Sequence, residues 1–303
     1  MKRPCPSWLV LALLWSAFPA CDCDRRPPPS SPGAPASGPA TQPAARPSGP
    51  PAVLLAAARG EVEVRRAGRW TRLAPGSRLD RDDVIRTAAS GAATVSMGED
   101  IEVQLQASSE VSLQELTATA SRVRLERGRL GASVTSDKVV LRVESSASSA
   151  VAEARRGRFA VYTDGRGLVA VTATAGEVKL TSSGGDALLG AGERALVVKD
   201  AAPLHEAVPA SVFLKVTWPE ATTSAKAVLV RGRADVGAAV AVNGRPAEVG
   251  PDGTFAATVP VVKGRNDLEV VAVDLGGRTG TAKGAVQVQR TAPGIEVERP
   301  IWR

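Results

Sequence analysis

The sequence predicts an all-β protein with two strand-built domains, a larger one at 53–200 and a smaller one at 211–290. Three observations carry that expectation. From Val53 onward apolar and polar residues alternate with a period of two, the pattern of half-buried strands with one face on a core and one in water. Turn pairs punctuate the runs: Ala67 and Gly68, Pro75 and Gly76, Asp164 and Gly165, Gly184 and Gly185. Short strands so spaced fit a sandwich or jelly roll. No long stretch repeats with the 3.6-residue period of an amphipathic helix.

The chain opens with Lys2 and Arg3, an apolar run over 8–18 and the small residue Ala20. A basic start, a short apolar core and a small residue describe a secretory signal peptide over 1–20. The run falls short of the roughly 20 residues a spanning helix needs. Phe18, Pro19, Ala20 and Cys21 together resemble the lipobox of a bacterial lipoprotein. That resemblance implies cleavage before Cys21, lipidation of Cys21, and a chain facing the periplasm or the cell exterior. Residues 21–52 are almost wholly Pro, Ala, Ser and Gly after a short charged start. Such a segment buries too little apolar surface to offset the entropy of ordering, so a disordered tether is expected. Extended at about 3.1 Å per residue, it reaches roughly 85 Å.

Each later strand has its own signature. Val53–Arg59 leads into the first. Val62 and Val64 alternate with Glu61, Glu63 and Arg65; Ile101, Val103 and Leu105 alternate with Glu102, Gln104 and Gln106. Val123 and Leu125 alternate with Arg122, Arg124 and Glu126. Val139, Leu141 and Val143 point one way, and the pairs Phe159 and Val161, Val169 and Val171, Val178 and Leu180 continue the series. Gly60, Gly76, Gly91, Gly157 and Gly176 fall at strand edges, where positive φ or close backbone approach suits glycine. Residues 201–210, rich in Pro and Ala, read as a linker. In the second domain Val228 to Gly232 opens a strand, and Asn243 followed by Gly244 is the strongest short hairpin signal. Asp252-Gly253-Thr254-Phe255 and Gly264-Arg265-Asn266 mark further turns before strands at 268–274 and 285–289. The tail, 291–303, is uncommitted; Trp302 either packs back on a domain or stays exposed.

Composition removes several function classes. The formal charge is +7, with arginine dispersed along strands, and aromatic residues make up only 3%. Base-stacking platforms are therefore scarce, and no nucleic-acid partner is expected. The three cysteines, Cys5, Cys21 and Cys23, all precede the domains, so no disulfide framework is expected within them. The one histidine, His205, lies in the 201–210 segment, away from any nucleophile–base arrangement. Asp82, Asp83, Glu99 and Asp100 have the chemistry of glycosidase carboxylates but fall at turns. Asp235, Asp252, Asp274 and Asn243 have oxygen ligands suited to calcium but are dispersed one per turn. The expectation is a protein that is not an enzyme, with no cofactor and no metal.

The order Arg59-Gly60-Glu61-Val62-Glu63-Val64, then Trp70, Leu73, Gly76 and Leu79, then Asp82 to Thr87, then Gly91-Ala92-Ala93 resembles the FecR domain. Phe159 to Tyr162, Ala175-Gly176-Glu177-Val178 and Gly190-Ala191-Gly192-Glu193 extend the resemblance to about residue 200. It implies a jelly-roll-like domain. Residues 211–290 are similar to the immunoglobulin-like B domain of glucodextranases, through Gly237 to Gly244, Asp252 to Phe255 and the Gly264 turn. Regulatory FecR proteins place a sigma-factor-binding segment and a spanning helix ahead of this domain. Neither is legible before residue 53.

The densest positive charge is Arg122, Arg124, Arg127 and Arg129 with Arg155, Arg156 and Arg158. Two readings stand beside each other: a solvated strand face that discourages edge pairing, and a patch that attracts an anionic partner. The preferred expectation is a non-catalytic, lipid-anchored envelope protein whose β domains bind another envelope protein or glycan. The alternatives are a FecR-type sensing component that acts through a partner, and an accessory carbohydrate-binding protein.

Overall fold

The computed structural model describes residues 52–289, all within one compact unit. The signal segment, Cys21, the tether up to residue 51 and the tail with Trp302 lie outside the described residues. Among those described, every regular element is a strand. The first eight are β1 (Val53–Arg59), β2 (Val62–Arg66), β3 (Arg69–Arg72), β4 (Arg78–Leu79), β5 (Val84–Thr87), β6 (Ala92–Met97), β7 (Ile101–Leu105) and β8 (Glu110–Leu116). Next come β9 (Ala120–Val134), β10 (Val140–Ser145), β11 (Val151–Ala154), β12 (Gly157–Thr163), β13 (Leu168–Gly176) and β14 (Val178–Ser182). The first domain ends with β15 (Gly185–Leu189), β16 (Glu193–Val198) and β17 (Leu204–Ala207).

These strands form two sheets. The first runs β4-β1-β6-β7-β9-β12-β13-β16-β17. The second runs β3-β2-β5-β8-β9-β10-β11-β14-β15. Strand β9 belongs to both, pairing with β8 over residues 121–127 and with β12 over 128–134. The corner falls at Gly128, whose φ is 92°; a Cβ there would lie 2.6 Å from the Cα of Ser109. Only glycine fits so sharp a bend against so close a neighbour. Period-two alternation turns Val123, Leu125, Leu130, Ala132 and Val134 of this strand inward. They join Leu55, Ile85, Leu105, Leu113, Leu141, Phe159, Val171 and Leu180 in one core between the sheets. Full burial of each such Val, Leu, Ile or Phe side chain contributes about 1.5–3 kcal/mol.

The expected linker at 201–210 is partly strand. β17 pairs with β16, with His205 opposite Ala195 and Glu206 opposite Arg194. All four β17 residues are exposed, because an edge strand with neither face on the core needs no apolar alternation. His205 Nε2 sits 3.1 Å from Glu193 Oε2.

The second domain comprises β18 (Leu214–Thr217), β19 (Thr222–Thr223), β20 (Ala227–Ala234), β21 (Ala239–Val242), β22 (Arg245–Ala247), β23 (Thr254–Pro260), β24 (Gly264–Val273) and β25 (Thr279–Val288). A three-stranded sheet, β18-β20-β23, faces a five-stranded one, β19-β25-β24-β21-β22. Val230, Phe255, Leu268, Val270 and Val286 fill the space between them. Asn243 (φ 47°) and Gly244 (φ 74°) turn β21 into β22 as the two left-handed residues of a type I′ hairpin. The all-β expectation of a jelly-roll-like domain followed by a smaller immunoglobulin-like sandwich holds.

Candidate functional site

The seven arginines singled out from the sequence do not share one surface. Residues on β9 before Gly128 turn their outward side chains to the outer face of the second sheet. There Arg122 lies 3.2 Å from Glu115 and 3.4 Å from Glu144; its Nε lacks hydrogen-bond alignment with that carboxylate. Arg124 reaches Glu144 at 3.3 Å, and Arg127 reaches Glu110 at 3.5 Å. Arg142 and Glu153 at 2.7 Å, Lys179 and Asp186 at 3.3 Å, and Arg86 and Glu63 at 2.6 Å extend this mixed-charge face. Arg155 and Arg156 occupy the turn between β11 and β12, Arg156 lying 3.6 Å from Asp137. On the second sheet, therefore, arginine is interleaved with carboxylates, and the positive charge is locally cancelled.

Arg129 and Arg158 lie past the corner, on the outer face of the first sheet. Strand register places Tyr162 opposite Arg129, Ala160 opposite Gly131 and Arg158 opposite Ser133. Thr172 follows Ala160, and Ala170 follows Tyr162, on the next strand. Gly131, Ala160, Ala170 and Thr172 form a shallow trough of small side chains. Ala170 and Thr172 are only 4% exposed although they point away from the core, because the second domain covers them. A Cβ on Gly237 would meet Tyr162 Cγ at 2.9 Å, and one on Gly276 would lie 3.8 Å from Thr174 Cγ2. Glycine at these points lets the loops of the second domain rest on the sheet.

A polar clasp joins the same surfaces. Asp235, whose side chain is 10% exposed, accepts hydrogen bonds from Arg194 Nη1 at 3.3 Å and from the Phe213 N–H at 3.0 Å. Arg194 also donates to Glu206 at 2.8 Å. Asp274 is held by Arg278 at 2.6 and 2.8 Å and accepts the Arg278 N–H.

Beside the contact lies a recess of about 380 Å³. Gln104, Gln106, Arg129, Ser133, Arg158 and Thr174 line it from the first domain, and Asp274, Leu275, Gly276 and Gly277 from the second. Burial pushes the Arg129 guanidinium below its ordinary range, and the neighbouring Tyr162 phenol opposes that shift. Burial raises the Tyr162 phenol above its ordinary value of 10.0; the Asp164 charge adds to the rise and Arg129 works against it. Arg129 makes no ion pair among the described residues, unlike Arg122, Arg124 and Arg127.

Of the oxygen ligands weighed for catalysis or calcium, Asp83, Asp252 and Asn243 are committed to local structure. Asp83, 4% exposed, accepts the Asp80 N–H at 2.9 Å and pairs with Arg66 at 2.7 Å. Asp252 accepts the Thr254 hydroxyl at 2.7 Å, and Asn243 accepts the Glu269 N–H at 2.8 Å. Two aromatics that could stack on sugars are covered: Arg86 sits 3.9 Å above the Trp70 ring, and Trp218 packs on Gly284. Tyr162 and the 275–277 loop were not singled out as a site from the sequence, and Asp235 and Asp274 were weighed only as calcium ligands, since nothing in their local pattern tells which surface the second domain covers.

Residues 83–179 match the family model for FecR protein, and residues 213–290 match that for glucodextranase, domain B. No curated protein matches the chain. Two solved structures of a candidate anti-sigma factor from Parabacteroides distasonis ATCC 8503 are similar at 20% identity with a TM-score of 0.37. Each match covers 41% of this chain and 59% of that chain, less than two thirds of its length. The fibronectin(III)-like modules of Clostridium thermocellum CbhA are similar at 15% identity and a TM-score of 0.23, over 64% of this chain and 99% of theirs. The chain thus joins a FecR-like segment to an immunoglobulin-like segment similar to glucodextranase domain B.

Proposed function

We propose that this protein is a non-catalytic sensing component of the cell envelope, anchored by lipid at Cys21, whose paired β domains bind another envelope component, protein or glycan. The FecR match over 83–179 supports the envelope sensing class. The observation that carries the binding part is the recess where the second domain rests on the first sheet, with Arg129 at its wall. Anchoring would confine both domains near the membrane, so that modest affinity suffices at raised local concentration. The mixed-charge face of the second sheet, its arginines already paired, is the less suited surface.

Two measurements on intact cells test this reading. Metabolic labelling with a clickable palmitate should mark the wild-type chain and fail on Cys21→Ser. Proximity labelling from the C-terminus should enrich one or more envelope components over a tether-only control. An unlabelled wild-type chain in the cytosol would overturn the reading.

A further inference from the structure

We infer that the recess between the two domains is a binding site for a carboxylate-bearing sugar, with the Arg129 guanidinium as the anion's partner. This rests on the reading of the protein as an envelope binder and names the ligand class of that site. A guanidinium keeps its charge at any physiological pH, and an uncompensated charge withdrawn from water is costly unless a counter-charge meets it. Elsewhere in this domain the partly buried arginines have found carboxylates: Arg86 with Glu63, Arg142 with Glu153, Arg194 with Glu206 and Asp235. Arg129 is half-buried, without an ion pair among the described residues, and borders a cavity. The missing carboxylate is one a ligand can bring.

The charge of the walls limits that ligand to about one negative unit. Arg129 and Arg158 are opposed by Glu102, which is exposed at the rim and accepts the Gln104 amide at 2.7 Å. The Asp274 carboxylate is already neutralised by Arg278 at 2.6 Å. One net positive charge suits a carboxylate better than a doubly charged phosphate. The remaining polar groups, the Gln106 amide and the Ser133 and Thr174 hydroxyls, are neutral donors and acceptors of the kind that hold sugar hydroxyls. At roughly 30 Å³ of liquid volume per water, the cavity holds about a dozen waters or more, enough for a sugar ring. Because Leu275, Gly276 and Gly277 close the other side, an occupant would touch both domains and tighten their contact.

The test is calorimetric titration of the full chain with glucuronate, with glucose and inorganic phosphate as parallel arms. Glucuronate should bind, glucose should not, and phosphate should bind more weakly than glucuronate. Arg129→Met should weaken glucuronate about 10- to 100-fold, the loss of one charge-assisted contact, while Arg142→Met on the opposite sheet leaves it unchanged. Arg129→Met should also raise the ligand-free Tm, since it removes a half-buried charge that makes no ion pair among the described residues; a folded, more stable variant keeps the binding result interpretable. Equal glucuronate affinity in Arg129→Met, no glucuronate binding at millimolar concentration, or phosphate binding tighter than glucuronate would overturn the assignment. Palmitate labelling and envelope capture would stand apart from such a failure, so the two readings fail separately.

Discussion

Replacing Asp235 by Ala removes the carboxylate that clasps the second domain to the first. The side chain is 10% exposed and takes two donors, Arg194 Nη1 at 3.3 Å and the Phe213 N–H at 3.0 Å. A hydrogen bond to a charged group is worth about 1.5–3 kcal/mol, and a second to a backbone N–H about 1 kcal/mol. Two features reduce the sum. Arg194 keeps Glu206 at 2.8 Å, and its side chain is 23% exposed, so water screens part of the loss. The net cost is about 2 kcal/mol, which for a body of this size lowers Tm by roughly 4–8 °C. Scanning calorimetry should show the wild-type domains melting together and the variant melting earlier, with the transition broadened or split. A double-mutant cycle with Arg194→Ala should return a coupling of about 1 kcal/mol. An unchanged Tm together with additive single effects would refute the clasp.

Other outcomes follow from local geometry. Gly157→Val should destabilise the first domain by about 3 kcal/mol in urea, because φ is 148° and a Cβ would lie 2.3 Å from the Ala175 carbonyl oxygen; a loss below about 1 kcal/mol would contradict the close pairing of Gly157 with Gly176. Tyr162 is the only tyrosine, so ultraviolet titration reports it alone. Burial raises its folded-state pKa, which makes its contribution to stability complete below the ordinary phenol value and lost as pH climbs through the folded one; a midpoint at or under 10 would contradict its burial. Glu193, Asp200 and Asp252 are held below their ordinary values, first by the Gly190 N–H, the Ser149 N–H and the Thr254 hydroxyl respectively. With folded values depressed, their contribution is present above the unfolded pKa and lost as pH falls. The urea midpoint should therefore drop between about pH 5 and about pH 3, and a flat profile there would contradict those contacts.

The strands were legible because a buried face imposes period two. Val62, Ile101, Val123 and Phe159 could be read straight from alternation, and each is buried. Asn243 and Gly244 were legible because the type I′ turn demands left-handed φ at both positions. Strand β17 was not, since an edge strand with all its residues exposed leaves no apolar rhythm. The arginines failed as a single patch for a related reason. Alternation tells which residues share a side of a strand, but β9 changes sheets at Gly128, and Arg129 then belongs to a different surface from Arg124. Nor does local sequence reveal that Gly237 and Gly276 rest on another domain, because docking depends on shape complementarity over residues far apart in the chain.

On the proposed function, the protein meets its partner at the recess between the two domains. A photo-crosslinking amino acid at Ser133, inside the recess, should capture an envelope component in intact cells, while the same probe at Lys179, on the outer face of the second sheet, should not. Capture from Lys179 with none from Ser133 would move the partner's contact to the second sheet and overturn a binding role for the recess.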